Sequence, residues 1–155
     1  MFCCNNFGSG IVRFLTVTDQ HRSLVCYNFR MMNVSDKKFR EIVAEAIDEI
    51  PAKYSSFIKN LAFVVEDEPN SEQKKRLSLA SNQSLYGLYE GVPLTRRSSG
   101  YNLVLPDKIT VFKLPHETVS TSLEDLKKRV KHTVWHEVAH YYGLGHGRIE
   151  ELEQK

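Results

Sequence analysis

Residues 123 to 142 have the pattern of one long amphipathic helix near the C-terminus of the chain. Ser122 is a suitable N-cap residue, and Asp125 stands three positions later as its capping-box partner. Residues at helical spacing supply one buried stripe, formed by Leu126, Val130, Thr133, Val134 and Val138. Gly143 stands where a left-handed C-terminal cap is expected, so the helix is predicted to end about at Tyr142.

Two histidines lie in the last turns of this helix. His136 and His140 are four residues apart, which places them on the same face with Cβ atoms about 5–6 Å from each other. Zinc binds nitrogen ligands in a tetrahedron, and in catalytic sites it takes three protein ligands and leaves one position for water. The spacing therefore predicts that His136 and His140 share one Zn²⁺ ion and that a third ligand comes from elsewhere.

His146 is the expected third zinc ligand. Gly143 lets the chain reverse at the end of the helix, and three further residues reach at most about 10 Å, enough to return His146 towards the metal. Three other residues remain alternatives. Glu150 and Glu151 require a longer excursion of the chain, and His116 lies in a different part of it.

Glu137 follows the first histidine and is the expected general base. From this position its carboxylate can reach a zinc-bound water without binding the zinc itself, take a proton as the water attacks a carbonyl, and pass that proton to the leaving amine. His132 extends the histidine face by one turn, but a fourth ligand would occupy the water position, so we expect it outside the ligand set. The pattern from His136 to His146 is rare by chance, and it predicts a zinc-dependent hydrolase.

The preceding residues predict a small sheet packed on helices. A helix capped by Ser35 and ended by Pro51 is indicated by apolar residues at helical spacing, and residues 61–66 form an apolar run typical of a buried strand. Residues 108–113 alternate as a strand does, whereas residues 86–94 indicate a short or irregular strand that leads into a loop at 95–100. Residues 70–84 are polar and are expected to form a mobile surface loop. The fold class is therefore predicted to be α+β.

Residues 1–32 differ in character and are predicted to be an N-terminal appendage to a domain at 33–155. Residues 11–17 and 24–29 are expected to pair as a hairpin, although neither segment alternates cleanly. A second interpretation is that translation begins at Met31 or Met32. Cys3, Cys4 and Cys26 lack the paired spacing of a structural zinc site, so we expect reduced thiols.

Size and charge limit the classes of partner. A chain of 155 residues is near the usual size of one domain, and its net charge of +2 is too small to indicate nucleic acid or an anionic membrane as partner. No apolar run approaches the length of a membrane span or a signal-peptide core. We therefore expect a cytoplasmic protein that acts on a peptide or protein, with an oligomeric state that the sequence does not indicate.

Several blocks of the chain resemble, in order, the small bacterial zincin-like metallopeptidase family. They are Phe-Arg-Glu-Ile-Val-Ala-Glu-Ala at 39–46, Leu-Tyr-Glu-Gly-Val-Pro-Leu-Thr at 88–95, Pro-Asp-Lys-Ile-Thr-Val-Phe at 106–112, and the histidine motif with the residues up to 151. The resemblance implies a minimal zincin-like fold, bound zinc and a peptidase role. It also implies variation at the third ligand, because relatives often carry an acidic residue around the place of His146.

Two further expectations follow from the likeness to zincins. Residues 108–113 are the candidate edge strand that holds the substrate as an added strand. The block around Tyr89 has no evident chemistry of its own and is expected to form a turn beside the metal helix, with Glu90 or Arg96 as candidates to line the cleft.

Two other functions compete with a peptidase. One family of ribosomal-RNA maturation endoribonucleases presents histidines at the spacing of 136, 140 and 146, but its motif does not need the glutamate at 137, and the near-neutral charge argues against RNA. The other alternative is a binding or regulatory module that carries zinc without useful turnover.

Overall fold

The computed structural model describes residues 11–14, 27–30, 32–80, 83–97 and 104–153. The strands are β1 (Ile11–Phe14), β2 (Tyr27–Arg30), β3 (Leu61–Glu66), β4 (Gly87–Glu90) and β5 (Asp107–Phe112). The helices are α1 (Asp36–Asp48), α2 (Ala52–Ser55), α3 (Ser71–Arg76), α4 (Lys113–Val119), α5 (Leu123–Tyr141) and α6 (His146–Glu153), and a 3₁₀ turn lies at Leu94–Arg96. None of the helices in these ranges is long and apolar enough to cross a membrane.

A mixed sheet of β3, β5 and β4, in that order, supports the C-terminal half of the chain. β5 runs parallel to β3 and antiparallel to β4. The expectation that residues 108–113 form an edge strand is therefore wrong, because both sides of β5 are already hydrogen-bonded to neighbours. Among the described strands, β4 pairs with β5 alone and also contacts α5, so β4 is the edge strand beside the helix that carries His136 and His140.

The core lies where α1 and α5 pack against each other and against β5. Apolar residues at helical spacing on both helices face this layer, as the sequence predicts. Removing these side chains from water is the main force that seats α5 on the sheet. The core residues from these three elements are Phe39, Ile42, Val43, Ala46, Ile109, Val111, Leu126, Val130, Val134 and Val138. The predicted α+β class, with a small mixed sheet packed on helices, is confirmed.

Helices α3, α4 and α6 depart from the prediction, and the short helix α2 was not expected. The expectation of a surface loop at 70–84 is wrong over residues 71–76, where Asn70 and Gln73 form a reciprocal capping box that starts α3. Lys113, expected at the end of a strand, instead begins α4, and Pro115 is tolerated there because the first-turn N–H groups of a helix have no intrahelical partner. The helix α6 after His146 was also not expected.

The N-terminal strands β1 and β2 pair antiparallel, with Ile11 opposite Arg30. The hairpin pairing is thus confirmed, over shorter strands than predicted. The boundary between an appendage at 1–32 and a domain at 33–155 stays a prediction. Cys3, Cys4 and Cys26 lie outside the described residues.

β4 approaches α5 so closely that only glycine fits at position 87. A Cβ atom added to Gly87 would lie 2.6 Å from Cγ2 of Thr133 and 2.8 Å from Cγ of Glu137. Both distances are shorter than any normal carbon contact, so a larger residue must push the strand and the helix apart.

Replacing Gly87 with alanine is expected to lower the free energy of unfolding by about 1–3 kcal/mol, the usual effect of overpacking. Urea denaturation followed by circular dichroism measures the change. Gly147→Ala is the matched control, because a Cβ atom there meets nothing within 4 Å. Alanine is also the better helix former, so the control should be as stable as the parent or more so. A Gly87→Ala protein as stable as the parent would contradict this packing.

His116 is a buried structural histidine. Its Nδ1–H donates to the carbonyl oxygen of Phe112 at 2.7 Å, which leaves Nε2 to accept from the hydroxyl of Thr133 at 3.0 Å. Burial lowers the pKa of His116, against the opposing effect of the hydrogen bond to Phe112. The folded protein therefore holds the imidazole neutral, whereas the unfolded chain protonates it near pH 6.5.

The free energy of unfolding is accordingly expected to fall as the pH drops below about 6.5, because His116 then binds a proton in the unfolded state but not in the folded state. The contribution is fully present above that pH. His116→Asn should be less stable than the parent at pH 7.5 but should lose less stability on acidification. The measurement is the urea midpoint of both proteins, without metal, between pH 7.5 and 5.5; equal slopes would disprove the role of His116.

Candidate metal centre

The C-terminus of α5 is closed by a left-handed glycine. Gly143 has a φ of +86°, its N–H donates to the carbonyl of His140, and the N–H of Leu144 donates to the carbonyl of Ala139. These two bonds are those of a Schellman motif, which reverses the chain at a fixed angle. The predicted cap at Gly143 is therefore present, and it turns the following residues back across the end of the helix.

The same cap orients His140. The carbonyl oxygen of Leu144 accepts a hydrogen bond from Nδ1–H of His140 at 3.0 Å. Nε2 is then the nitrogen with a free lone pair, as it is in most histidine metal ligands whose other nitrogen is hydrogen-bonded. Burial, together with the neighbouring His136 and His146, lowers the pKa of His140, so its imidazole is held in the neutral form that binds metal.

His146 is brought back to the site by α6, of which it is the first residue. The N–H groups of Arg148 and Ile149 donate to the carbonyl of Gly145 and start the helix. The side chain of Ile149 is 3% exposed, so it anchors α6 in the apolar interior. A short turn held at both ends thus determines the position of His146.

The three predicted histidines converge. One side-chain nitrogen from each of His136, His140 and His146 lies within 4.8 Å of the others. Nitrogen ligands of a tetrahedral zinc are about 3.3 Å apart, so small side-chain rotations would bring these atoms to bonding distance. Three imidazole nitrogen donors and an open side fit a catalytic zinc site. Within the described part of the chain, no other group of three potential metal ligands converges in this way.

The alternative ligands do not join this group. His116 is buried and hydrogen-bonded to Phe112 and Thr133, and the carboxylate of Glu151 pairs with Arg148 at 2.6 Å. The side chain of Glu150 lies outside the described residues. His132 is exposed with its ring centroid 6.2 Å from that of His136, and it lines the cleft beside the triad, as expected for a residue outside the ligand set.

Glu137 is buried next to the triad, with a relative exposure of 7%. Its carboxylate accepts a hydrogen bond from the backbone N–H of Tyr89 in β4. Burial raises the pKa of Glu137 to about 7, because the low-dielectric surroundings disfavour its charge more than the hydrogen bond from Tyr89 favours it. At neutral pH this carboxyl group can therefore both accept and release a proton.

A cleft of about 660 Å³ opens over the histidines and Glu137. Of the two candidates in the block around Tyr89, Arg96 lines this cleft, whereas Glu90 is held elsewhere by ion pairs with Arg76 and Lys108. The far wall is mainly apolar, and its side chains come from the end of α3, from β4 and from the turns beside them: Leu77, Leu85, Tyr86, Leu88 and Pro93.

Sequence reasoning missed a polar cluster below the site. Arg97 forms an ion pair with Asp107 at 2.5 Å, and the hydroxyl of Tyr89 donates to the same carboxylate at 2.5 Å. Burial and the hydrogen bond to Asp107 raise the pKa of Tyr89, so its hydroxyl stays protonated as a donor. No spacing rule pairs Arg97 with Asp107, because they come from different elements. The available signal in the sequence was that Asp107 lies in the family-like block at 106–112 and that Arg97 lies just after the block at 88–95.

Tyr141, the residue after His140, is fully buried. Its hydroxyl donates to the carbonyl of Lys59 at 2.9 Å and accepts from the N–H of the same residue at 3.0 Å. The hydroxyl of Tyr142 donates to the carbonyl of Tyr54. Both tyrosines therefore fasten the end of α5 to the segment before β3.

Comparison with known families agrees with this geometry. A family model described as zincin-like metallopeptidase matches residues 58–155, which include the whole three-stranded sheet, Glu137 and the three histidines. Among curated proteins, none matches the chain. The family match extends over well more than half of the sequence and covers every residue of the candidate site. With its minimal α+β fold and C-terminal histidine helix, the chain belongs to the family of zincin-like metallopeptidases.

Proposed function

We propose that this protein is a zinc-dependent peptidase, in which His136, His140 and His146 hold the metal and Glu137 is the general base. The observation that carries the proposal is the convergence of three imidazoles beside a buried carboxyl group in one open cleft. Membership of a metallopeptidase family supports the reaction class.

The division of work between the residues follows from their surroundings. A bound Zn²⁺ would activate water and polarise the carbonyl of the scissile bond. Glu137 would take the proton released by the attacking water and return it to the leaving amine. Its pKa of about 7 suits both steps near neutral pH, since neither direction of proton transfer is then strongly uphill.

The substrate is proposed to be an extended peptide that lies along β4. This strand borders the cleft, and among the described strands only β5 is hydrogen-bonded to it. A peptide added to the other side of β4 would be held by its main chain, and its side chains would meet the apolar wall of the cleft. Neither RNA nor a membrane is proposed as a partner, because the net charge of +2 offers little attraction to phosphates.

The ligand set is tested by metal analysis. The parent is expected to hold one zinc per chain, and His136→Ala/His140→Ala should lose most of it, because a single remaining imidazole cannot hold the ion. His146→Ala should bind zinc more weakly than the parent. Glu151→Gln is the control and should keep the parent's zinc content. Undiminished zinc in the double variant, or loss of zinc in the control, would overturn the assignment.

The general base is tested by Glu137→Gln, which keeps the shape of the side chain and removes its ability to take a proton. This variant should retain zinc and lose at least about 100-fold in cleavage rate, the lower range for general base catalysis. The assay is digestion of a peptide library with and without a chelator, with an RNA pool in parallel. Equal cleavage by parent and variant would exclude Glu137, and cleavage of RNA alone would favour the endoribonuclease alternative.

A parent protein that binds zinc but cleaves neither peptides nor RNA would favour the remaining alternative, a zinc-bearing binding module. The metal analysis is independent of activity, so it separates a wrong ligand set from a correct site without turnover.

A further inference from the structure

The ion pair of Arg97 and Asp107 is the most buried arginine–carboxylate pair of the described chain. The side chain of Asp107 is 2% exposed and that of Arg97 is 14% exposed. A buried ion pair is weak evidence for stability, because the loss of hydration offsets much of the attraction between the charges. Its place beneath the metal centre points to a role in geometry.

Arg97 is connected to the turn between the second and third histidines. Arg97 directly follows the 3₁₀ turn Leu94–Arg96, and its Nε–H also donates to the carbonyl of Val92 at 2.8 Å. Thr95, in the middle of that turn, packs directly on Gly143, where a Cβ atom would collide with the hydroxyl oxygen of Thr95. Because Arg97 holds the 3₁₀ turn in place, Thr95 stays in contact with Gly143, the residue at which the chain reverses.

The ion pair is also connected by hydrogen bonds to Glu137. Asp107 accepts a hydrogen bond from the hydroxyl of Tyr89, and the backbone N–H of Tyr89 donates to the carboxylate of Glu137. Tyr89 thus connects the ion pair to the expected base through one residue of β4. Gly91 packs directly on the carboxylate of Asp107, so this end of the strand has no room to shift towards it.

A third contact reaches α5 itself. The guanidinium of Arg97 lies 4.9 Å from the ring centroid of Tyr141, the residue after His140. This is within the range of a cation–π interaction. The ion pair therefore contacts α5 through Tyr141, and it is connected to the terminal turn through Thr95 and to Glu137 through Tyr89.

We propose that Arg97 and Asp107 form a positioning clamp, which holds His146 at the distance required for a third ligand and holds Glu137 beside the metal. The inference rests on the proposed ligand set and deepens it. Neither residue lines the cleft, so their effect is exerted through Thr95, Gly143 and Tyr89.

The chain offers a matched control for this clamp. Arg76 and Glu90 form an ion pair of the same length, 2.5 Å, and Glu90 belongs to the same strand as Tyr89. Their side chains are 57% and 21% exposed. Removing this second pair also removes an arginine–carboxylate contact from the three-stranded sheet but leaves the turn at Gly143 untouched.

The test compares two double variants, Arg97→Gln/Asp107→Asn and Arg76→Gln/Glu90→Gln. Each removes both charges, so neither leaves a buried charge without its partner. Arg97→Lys, which keeps the charge but loses the planar fork, is a third variant that preserves folding. Zinc affinity is measured by competition with a chromophoric chelator, and the visible absorption of bound Co²⁺ reports the number and geometry of ligands.

The clamp variant, Arg97→Gln/Asp107→Asn, is expected to bind zinc about 10- to 100-fold more weakly than the parent. A loss of this size is usual when a group that supports metal ligands is removed. Its Co²⁺ spectrum should shift towards that of His146→Ala, and Arg97→Lys should fall between it and the parent. The Arg76→Gln/Glu90→Gln control should match the parent in both measurements.

A clamp variant with the parent's far-ultraviolet circular dichroism, zinc affinity and Co²⁺ spectrum would overturn the proposal. If that double variant failed to fold, the same comparison with Arg97→Lys would decide it. A parent that bound neither ion would overturn the ligand set and the clamp with it. A parent that bound zinc but cleaved no peptide would contradict the peptidase function alone and leave the clamp to be judged on its metal affinity.

Discussion

The reversal of the chain at Gly143 is the constraint on which the candidate metal centre depends. The helix must stop directly after His140, and the residues that follow must turn back towards the face that carries His136 and His140. A left-handed residue satisfies the last carbonyls and turns the chain within three residues. The same turn supplies the Leu144 carbonyl that orients His140 and leads directly into α6, so it determines two of the three histidine positions.

Desolvation sets the chemistry of the site. α5 packs so tightly on β4 that Gly87 has no room for a side chain, and Glu137 is buried in the contact. Burial brings the pKa of Glu137 to about 7 and lowers that of His140, so a neutral His140 imidazole lies near a carboxyl group that can exchange protons at neutral pH. The packing that stabilises the helix on the sheet is therefore also what prepares these groups for metal-assisted hydrolysis.

The parts of the fold that were predicted correctly depend on local patterns. The caps at Ser35 and Ser122, the helical stripes and the apolar run at 61–66 act within one element, so the order of residues is sufficient to place them. The errors arose where a signal was short or non-local. The capping box of Asn70 and Gln73 was present in the sequence but lay in a polar stretch without an apolar stripe. The central position of β5 depends on pairing with two distant strands, which no pattern inside β5 reveals.

The sequence by itself determined the histidine helix, the glutamate beside its first histidine and the glycine that ends it, because helical spacing and capping follow from residues close in the chain. It also indicated that His146 could reach the site, since three residues span the distance. Only the tertiary structure decided that His146 stands close to the other two histidines, that Glu137 is buried, and that Arg97 and Asp107 meet beneath the turn. These features are created when separate elements exclude water between them, and that contact is specified by the whole core rather than by any segment of the chain.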